Sequence, residues 1–330
     1  MRTAVVTRFG DPDVFAVTEQ DDPPPGPGEV AIAVEVADTL WVETRIRAGA
    51  GQDYWPMRPP YVPGNGVVGR VAEVGEGVDP QLRGVAVAAH TGNAGGYADR
   101  VVVPVEAVSR VPDGVDLKVA AALLHDGPTA LALFEVTKVG VDDTVVVVGA
   151  SGGLGIVSVQ LAKARAARIV AVARGAKLDR VRALGPDDGP DAAIDSEATG
   201  WVEQVRAALP DGRADVVLDN IGGALGEASF ALVARGGRFS GHGTPSGRFA
   251  AVDRHAAARE GITVTGIEAV QMSDADLVRY TDRALQEAAA GVLTPVIGQT
   301  FPLDRVADAH AAIESRTVFG TTLLLTGLAG

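Results

Sequence analysis

The chain of 330 residues contains no cysteine. That absence excludes disulfides, thiolate nucleophiles and every cysteine-bearing zinc site. Lysine is nearly absent too, occurring only at Lys118, Lys138, Lys163 and Lys177, so arginine carries most of the positive charge. The net charge is −13 and no basic run exceeds two residues, which argues against a nucleic-acid partner. No apolar stretch reaches the length of a membrane span, so no membrane partner is expected. The opening Met1-Arg2-Thr3-Ala4-Val5-Val6 reads as a strand rather than a signal peptide, and the expected location is the cytoplasm.

What is present is an ordinary globular composition, 47% hydrophobic and 22% charged, long enough for two domains with a core each. The most informative stretch runs from Val145 to Gly155. Four consecutive valines are too apolar for one exposed face and read as a central parallel strand buried on both sides. Glycines follow, and then Leu154, Val157 and Leu161 recur at helical spacing. Strand, tight turn and helix start form a phosphate cradle, in which backbone N–H groups and the positive helix end face an anion. Ser151, Gly152, Gly153 and Leu154 are the expected contacts, with Gly152, Gly153 and Gly155 leaving the backbone open to a pyrophosphate.

A second β-like run, Arg168 to Ala173, follows one helix later, as a βαβ unit requires. An acid at its end would bind the 2′-hydroxyl of NAD, whereas a cation suits the 2′-phosphate of NADP. Here Arg174 ends the strand, Lys177 follows, and no acid lies between Ile169 and Lys177. The expected cofactor is therefore NADPH, the alternative being that Arg174 is only a solvated strand-end charge.

Residues 1–20 read as a hairpin, Asp21 to Gly28 as a proline-rich connector, and Glu29 to Ala37 as a half-buried strand. Val67–Val74, Val85–Ala89 and Arg100–Val105 add short strands, the pattern of an irregular β-barrel. From about Asp116 strands alternate with helices: a helix from Leu117, another opened by Pro128, helices at Trp201–Leu209 and Leu225–Val233, and strands at Asp215–Asp219, Gly237–Ser240 and Ile262–Thr265. That is a doubly wound parallel sheet, a Rossmann α/β fold. Amphipathic helices at 274–290 and Leu303–Glu314 precede a strand, Thr321 to Thr326, expected to return to the first domain. The boundaries predicted are 1–116 with 267–330 for one domain and 117–266 for the nucleotide domain, with a cleft between.

The chain resembles the medium-chain dehydrogenase/reductase superfamily, and within it the zinc-independent, zeta-crystallin-like quinone oxidoreductase branch. The carriers are Arg8-Phe9-Gly10, Pro63-Gly64, Gly69-Arg70-Val71, Gly95-Gly96-Tyr97-Ala98-Asp99, Thr129-Ala130, the 149–155 turn, Asp219-Asn220-Ile221-Gly222-Gly223 and Glu314-Ser315-Arg316. The resemblance implies that the N-terminal barrel is GroES-like and that the protein is a homodimer extending its sheet through Ile262–Ile267. Leu40 stands where the zinc enzymes carry a cysteine and the quinone reductases an asparagine, Glu43 where a companion Asp lies, and Asn65-Gly66 where a His-Glu pair lies. Catalytic zinc is therefore not expected.

The chemistry so implied is hydride transfer to a quinone or an α,β-unsaturated carbonyl, or alternatively to an enoyl thioester or polyketide intermediate. A dinucleotide-binding structural or sensor protein is the non-enzymatic alternative. Tyr54 and Tyr61 are candidate proton donors or oxyanion stabilisers, each alternatively an apolar wall with a polar tip. Thr129 and Arg316 match family residues on the cofactor. Asn220 and His242, both at strand ends on the carboxyl edge of the sheet, are expected beside the cofactor. Trp41, Tyr54, Trp55 and Tyr61 either stack a flat substrate or cap the barrel core.

Overall fold

The computed structural model describes every residue except 93, 166, 185–188 and 328–330. It divides into two compact units, Thr129–Met272 with Val292–Thr294, and Met1–Pro128 with Ser273–Gly291 and the chain from Pro295 on.

The first of these units is built on a six-stranded, wholly parallel sheet. Across it lie Ala192–Asp195, Arg168–Ala173, Thr144–Val148, Ala214–Asp219, Val233–Gly241 and Thr263–Gly266. Counted from its first strand, the order is 3-2-1-4-5-6, the doubly wound dinucleotide arrangement. Val145 to Val148 have no exposed surface, because helices cover both faces of a parallel sheet. The order reverses between Thr144–Val148 and Ala214–Asp219, which puts the glycine turn and Asn220 side by side at the carboxyl edge.

The other unit carries a two-stranded hairpin, Arg2–Val6 with Phe15–Glu19, and a seven-stranded sheet. Glu29–Asp38 is its hub, pairing with Gly66–Val74, Arg100–Pro104 and Thr321–Leu325. It is buried along most of its length, more than the half-buried expectation, because Val30, Ile32 and Val34 pack into one core and Val36 into another. Thr321–Leu325 also runs parallel to Ile297–Pro302, so the C-terminal return enters the N-terminal sheet. Val30, Ile32, Val34, Val67, Val87, Tyr97 and Leu324 form the core.

Some boundaries differ from expectation. The helix assigned to Pro128 begins at Asp126 and runs to Thr137; a proline within the first turn loses no hydrogen bond there. The helix expected at Leu225–Val233 is Gly223–Phe230, and Val233 opens the following strand. Apolar residues continue across that join, so periodicity alone misplaces it. Among the described residues no single helix is long and apolar enough to cross a membrane.

Candidate active site

The strand and helix that flank the glycine turn form as the sequence predicts. Gly152 caps the helix Gly153–Ala164, whose first-turn amides have no carbonyl four residues back to serve. A Cβ on Gly152 would meet only the Gly149 carbonyl oxygen, at 3.8 Å, so this side of the turn is open. Gly155 differs. A Cβ there would lie 2.3 Å from the Gly149 oxygen, so its smallness serves the strand–helix contact rather than a ligand. Ser151 is buried beside the turn.

Asn220 and His242 meet across the carboxyl edge. Asn220 Nδ2 donates to the Val148 carbonyl at 2.9 Å, and its Oδ1 faces His242 Nε2 at 2.8 Å. An amide oxygen only accepts, so Nε2 carries the ring hydrogen, and Nδ1 accepts from the Ser240 hydroxyl at 3.1 Å. Burial lowers the His242 pKa to about 4, so the ring is neutral near pH 7. Both ring nitrogens are engaged, and near neutral pH His242 orients Asn220 as an uncharged ring. Sequence reasoning missed Ser240 and also Asp219, whose Oδ1 accepts from the Ile221 and Gly222 amides at 2.9 Å each and shapes the adjoining loop.

Arg174 precedes the short turn Gly175–Lys177. Burial, and then the charges of Arg174 and Arg180, lower the Lys177 pKa, so three cations converge on this loop. Two acids missing from the local sequence arrive from the neighbouring strand end. Glu197 lies 3.8 Å from Arg174 Nε, and a Cβ on Gly175 would meet the Asp195 carboxylate at 2.4 Å. Thr129 sits in the first turn of Asp126–Thr137.

The remaining expected residues belong to the other unit. Arg316 is exposed and ends the helix Val306–Ser315 in the left-handed region, at φ 56°. Tyr54 is 82% exposed, with Trp55 tilted against it at 6.0 Å. Tyr61 turns the other way: its backbone bridges to Val6 and its hydroxyl is buried with no hydrogen-bond partner among the described residues. Burial and the Glu43 charge push that phenol up to about 12, with Arg47 opposing, which makes Tyr61 a reluctant proton donor. The two tyrosines are not brought together.

Glu43 is the group in this unit that sequence reasoning undervalued. It is 3% exposed and accepts from Leu40 N at 2.9 Å, Asn65 N at 3.0 Å, Asn65 Nδ2 at 3.3 Å and Tyr97 Oη at 2.6 Å. Tyr97 Oη also lies 3.1 Å from His310 Nε2. Asp38 is buried, and its carboxyl is held well above the ordinary range by burial, then by Asp126 and Glu43. Asp126 keeps some exposed surface, yet the protein around it raises its carboxyl to about 7, against a Thr321 hydroxyl 3.4 Å away. Among the described residues no three metal-ligating side chains converge.

Comparison with known proteins agrees with this geometry. Residues 26–113 match the alcohol dehydrogenase GroES-like domain, and residues 189–324 the family described as zinc-binding dehydrogenase. The quinone oxidoreductase of Rattus norvegicus is 27% identical over 332 residues, 98% of each chain. A mycobacterial protein crystallised with NADPH superposes with a TM-score of 0.87 at 28% identity, over 98% of this chain and all of that one. A polyketide synthase of Streptomyces halstedii is 30% identical over 90% of this chain, which spans 5% of that protein. A GroES-like sheet and a dinucleotide-type parallel sheet in one chain define a two-domain dehydrogenase/reductase. The chain belongs to the medium-chain dehydrogenase/reductase superfamily, in its zeta-crystallin-like quinone oxidoreductase branch.

Proposed function

We propose that the protein is an NADPH-dependent reductase that delivers hydride to a quinone or an α,β-unsaturated carbonyl compound. The observation that carries this is the turn at Gly152, open on one side and backed by the unserved amides of a helix start, in a chain aligned end to end with a quinone oxidoreductase. Ser151, Gly152, Gly153 and Leu154 would take the pyrophosphate, and Arg174 and Lys177 the 2′-phosphate. Asn220, held by His242, would offer its second amide hydrogen, while Thr129 and Arg316 complete the cofactor set. Bound NADPH supplies the hydride; the chain's own residues orient it and exclude water. The enolate or hydroquinone anion left on the substrate requires a proton. Of the two tyrosines, Tyr54 is exposed and the Tyr61 hydroxyl is buried, so Tyr54 is the candidate to give one.

Further parts of the reading are a cytoplasmic homodimer acting on a small molecule, with neither nucleic acid nor membrane as partner. Thr263–Gly266, at the end of the parallel sheet, offers the edge through which a second copy would extend it. The likeness to a polyketide synthase segment supports a second reading, an enoyl reductase acting on a thioester. Following NADPH absorbance with a quinone, an aliphatic enone and an enoyl thioester in parallel separates the two. Tight NADPH binding without oxidation in any of the three would make this a binding protein instead.

A further inference from the structure

The hydrogen bonds of Glu43 join segments far apart in the chain. Leu40 ends the strand-to-helix connection before Trp41–Arg47, while Asn65 stands just before Gly66–Val74. One carboxylate accepts from the backbone amides of both. As an anion it is acceptor only, and all four of its hydrogen bonds come from donors. Protonated, it must donate through one oxygen, and amide N–H groups cannot accept. Of its four contacts, the acceptor in reach is the Tyr97 oxygen, 2.6 Å from Oε2.

That hydroxyl has somewhere to turn. While Tyr97 donates to Glu43, its oxygen accepts from His310 Nε2–H, and His310 Nδ1 is buried without a partner among the described residues. A proton arriving at Nδ1 lets the Nε2 hydrogen pass to the Tyr97 oxygen and the Tyr97 hydrogen pass to Glu43 Oε2. One proton enters, each group keeps its valence, and His310 ends neutral in the other tautomer. We propose that Glu43 is a positioning residue: ionised, it locks the backbone at Leu40 to that at Asn65, and one proton relayed through His310 and Tyr97 loosens that lock. The link to turnover rests on the reductase reading; the lock itself rests on the geometry alone.

The charged surroundings agree. Burial raises the Glu43 carboxyl to about 7, against the lowering hydrogen bonds of Tyr97, Leu40 and Asn65. Asp38 and Tyr61 both feel the Glu43 charge, and Asp126 acts on Asp38. Burial and then Arg47 hold His310 down at about 3, so its ring is neutral across the pH range of the test. Arg47 is itself paired with Glu314.

The test is amide hydrogen exchange at Leu40 and Asn65, read as protection factors at about pH 6 and about pH 8 in the full chain, for wild type, Glu43→Gln and Tyr97→Phe. The expected result is protection about tenfold lower at the acid pH in wild type. Glu43→Gln, with one acceptor oxygen in place of two, is expected to give low protection at both. Tyr97→Phe removes both the donor to ionised Glu43 and the acceptor of its protonated form, so the wild-type midpoint is expected to shift, and this variant decides the matter if Glu43→Gln does not fold. Protection independent of pH in wild type, or an unmoved midpoint in Tyr97→Phe, overturns the lock. The pH profile of quinone-dependent kcat/KM should share the wild-type midpoint. A profile without that midpoint overturns the link to turnover. Absence of turnover with every acceptor overturns the reductase reading, while exchange still decides on Glu43.

Discussion

His242 Nε2 donates to Asn220 Oδ1 across 2.8 Å, and this bond joins the end of the Val233–Gly241 strand to the end of Ala214–Asp219. Replacing His242 by Leu leaves the Ser240 hydroxyl and the Asn220 oxygen without this partner, and is expected to cost about 1–3 kcal/mol of stability. The pH dependence has a definite sign. The unfolded ring titrates near its ordinary 6.5 and the folded one near 4, so the unfolded chain binds more protons in that window. Stability is therefore present above 6.5 and lost as pH falls toward 4, by about 3 kcal/mol from this residue. Denaturant titrations across that window should show a shallower acid loss in His242→Leu than in wild type.

The two glycines of the turn make a contrasting pair. Gly152→Ala meets nothing closer than 3.8 Å at an extended φ of −87°. It should fold with nearly unchanged Tm while weakening NADPH about tenfold or more, since its methyl group occupies the open side. Gly155→Ala places a methyl carbon 2.3 Å from the Gly149 oxygen, and should cost about 1–3 kcal/mol or more before any ligand is added. Thermal denaturation and NADPH titration of both variants separate the binding role from the packing role.

Much of the nucleotide unit was legible because its signals are local. Val145–Val148 can only be a strand buried on both faces, and the glycines that follow need no distant partner to be read. The same locality explains the misplaced end of Gly223–Phe230. It also explains the strand Ala192–Asp195, which was not anticipated: four half-buried residues carry no alternation strong enough to see. Glu43, Tyr97 and His310 were illegible as a group, since their hydrogen bonds span 54 and 213 positions. Read singly, Glu43 only stood where the zinc enzymes carry a companion Asp. Asp195 and Glu197 reach the Arg174 loop from a neighbouring strand end, so a search for acids along one segment missed them.

Arg47 is 1% exposed and its guanidinium pairs with Glu314, while Nε and Nη1 have no partner among the described residues. Glu314→Gln leaves a buried cation without its counter-charge and is expected to destabilise the protein by about 3–5 kcal/mol. Adding Arg47→Met should recover much of that loss. Chemical denaturation of the single and double variants measures both.

The convergence of Arg174, Lys177 and Arg180 predicts a preference for the 2′-phosphorylated cofactor. Reversing one charge with Arg174→Asp should weaken NADPH about tenfold or more, with NADH little affected. Calorimetric titration of the wild-type protein and Arg174→Asp with each nucleotide puts the cofactor assignment to its most direct test. Saturable binding of NADPH to wild type is expected, at least about tenfold tighter than NADH, with loss of that preference in the variant. No binding of either nucleotide, or equal affinities that Arg174→Asp leaves unchanged, would contradict that assignment.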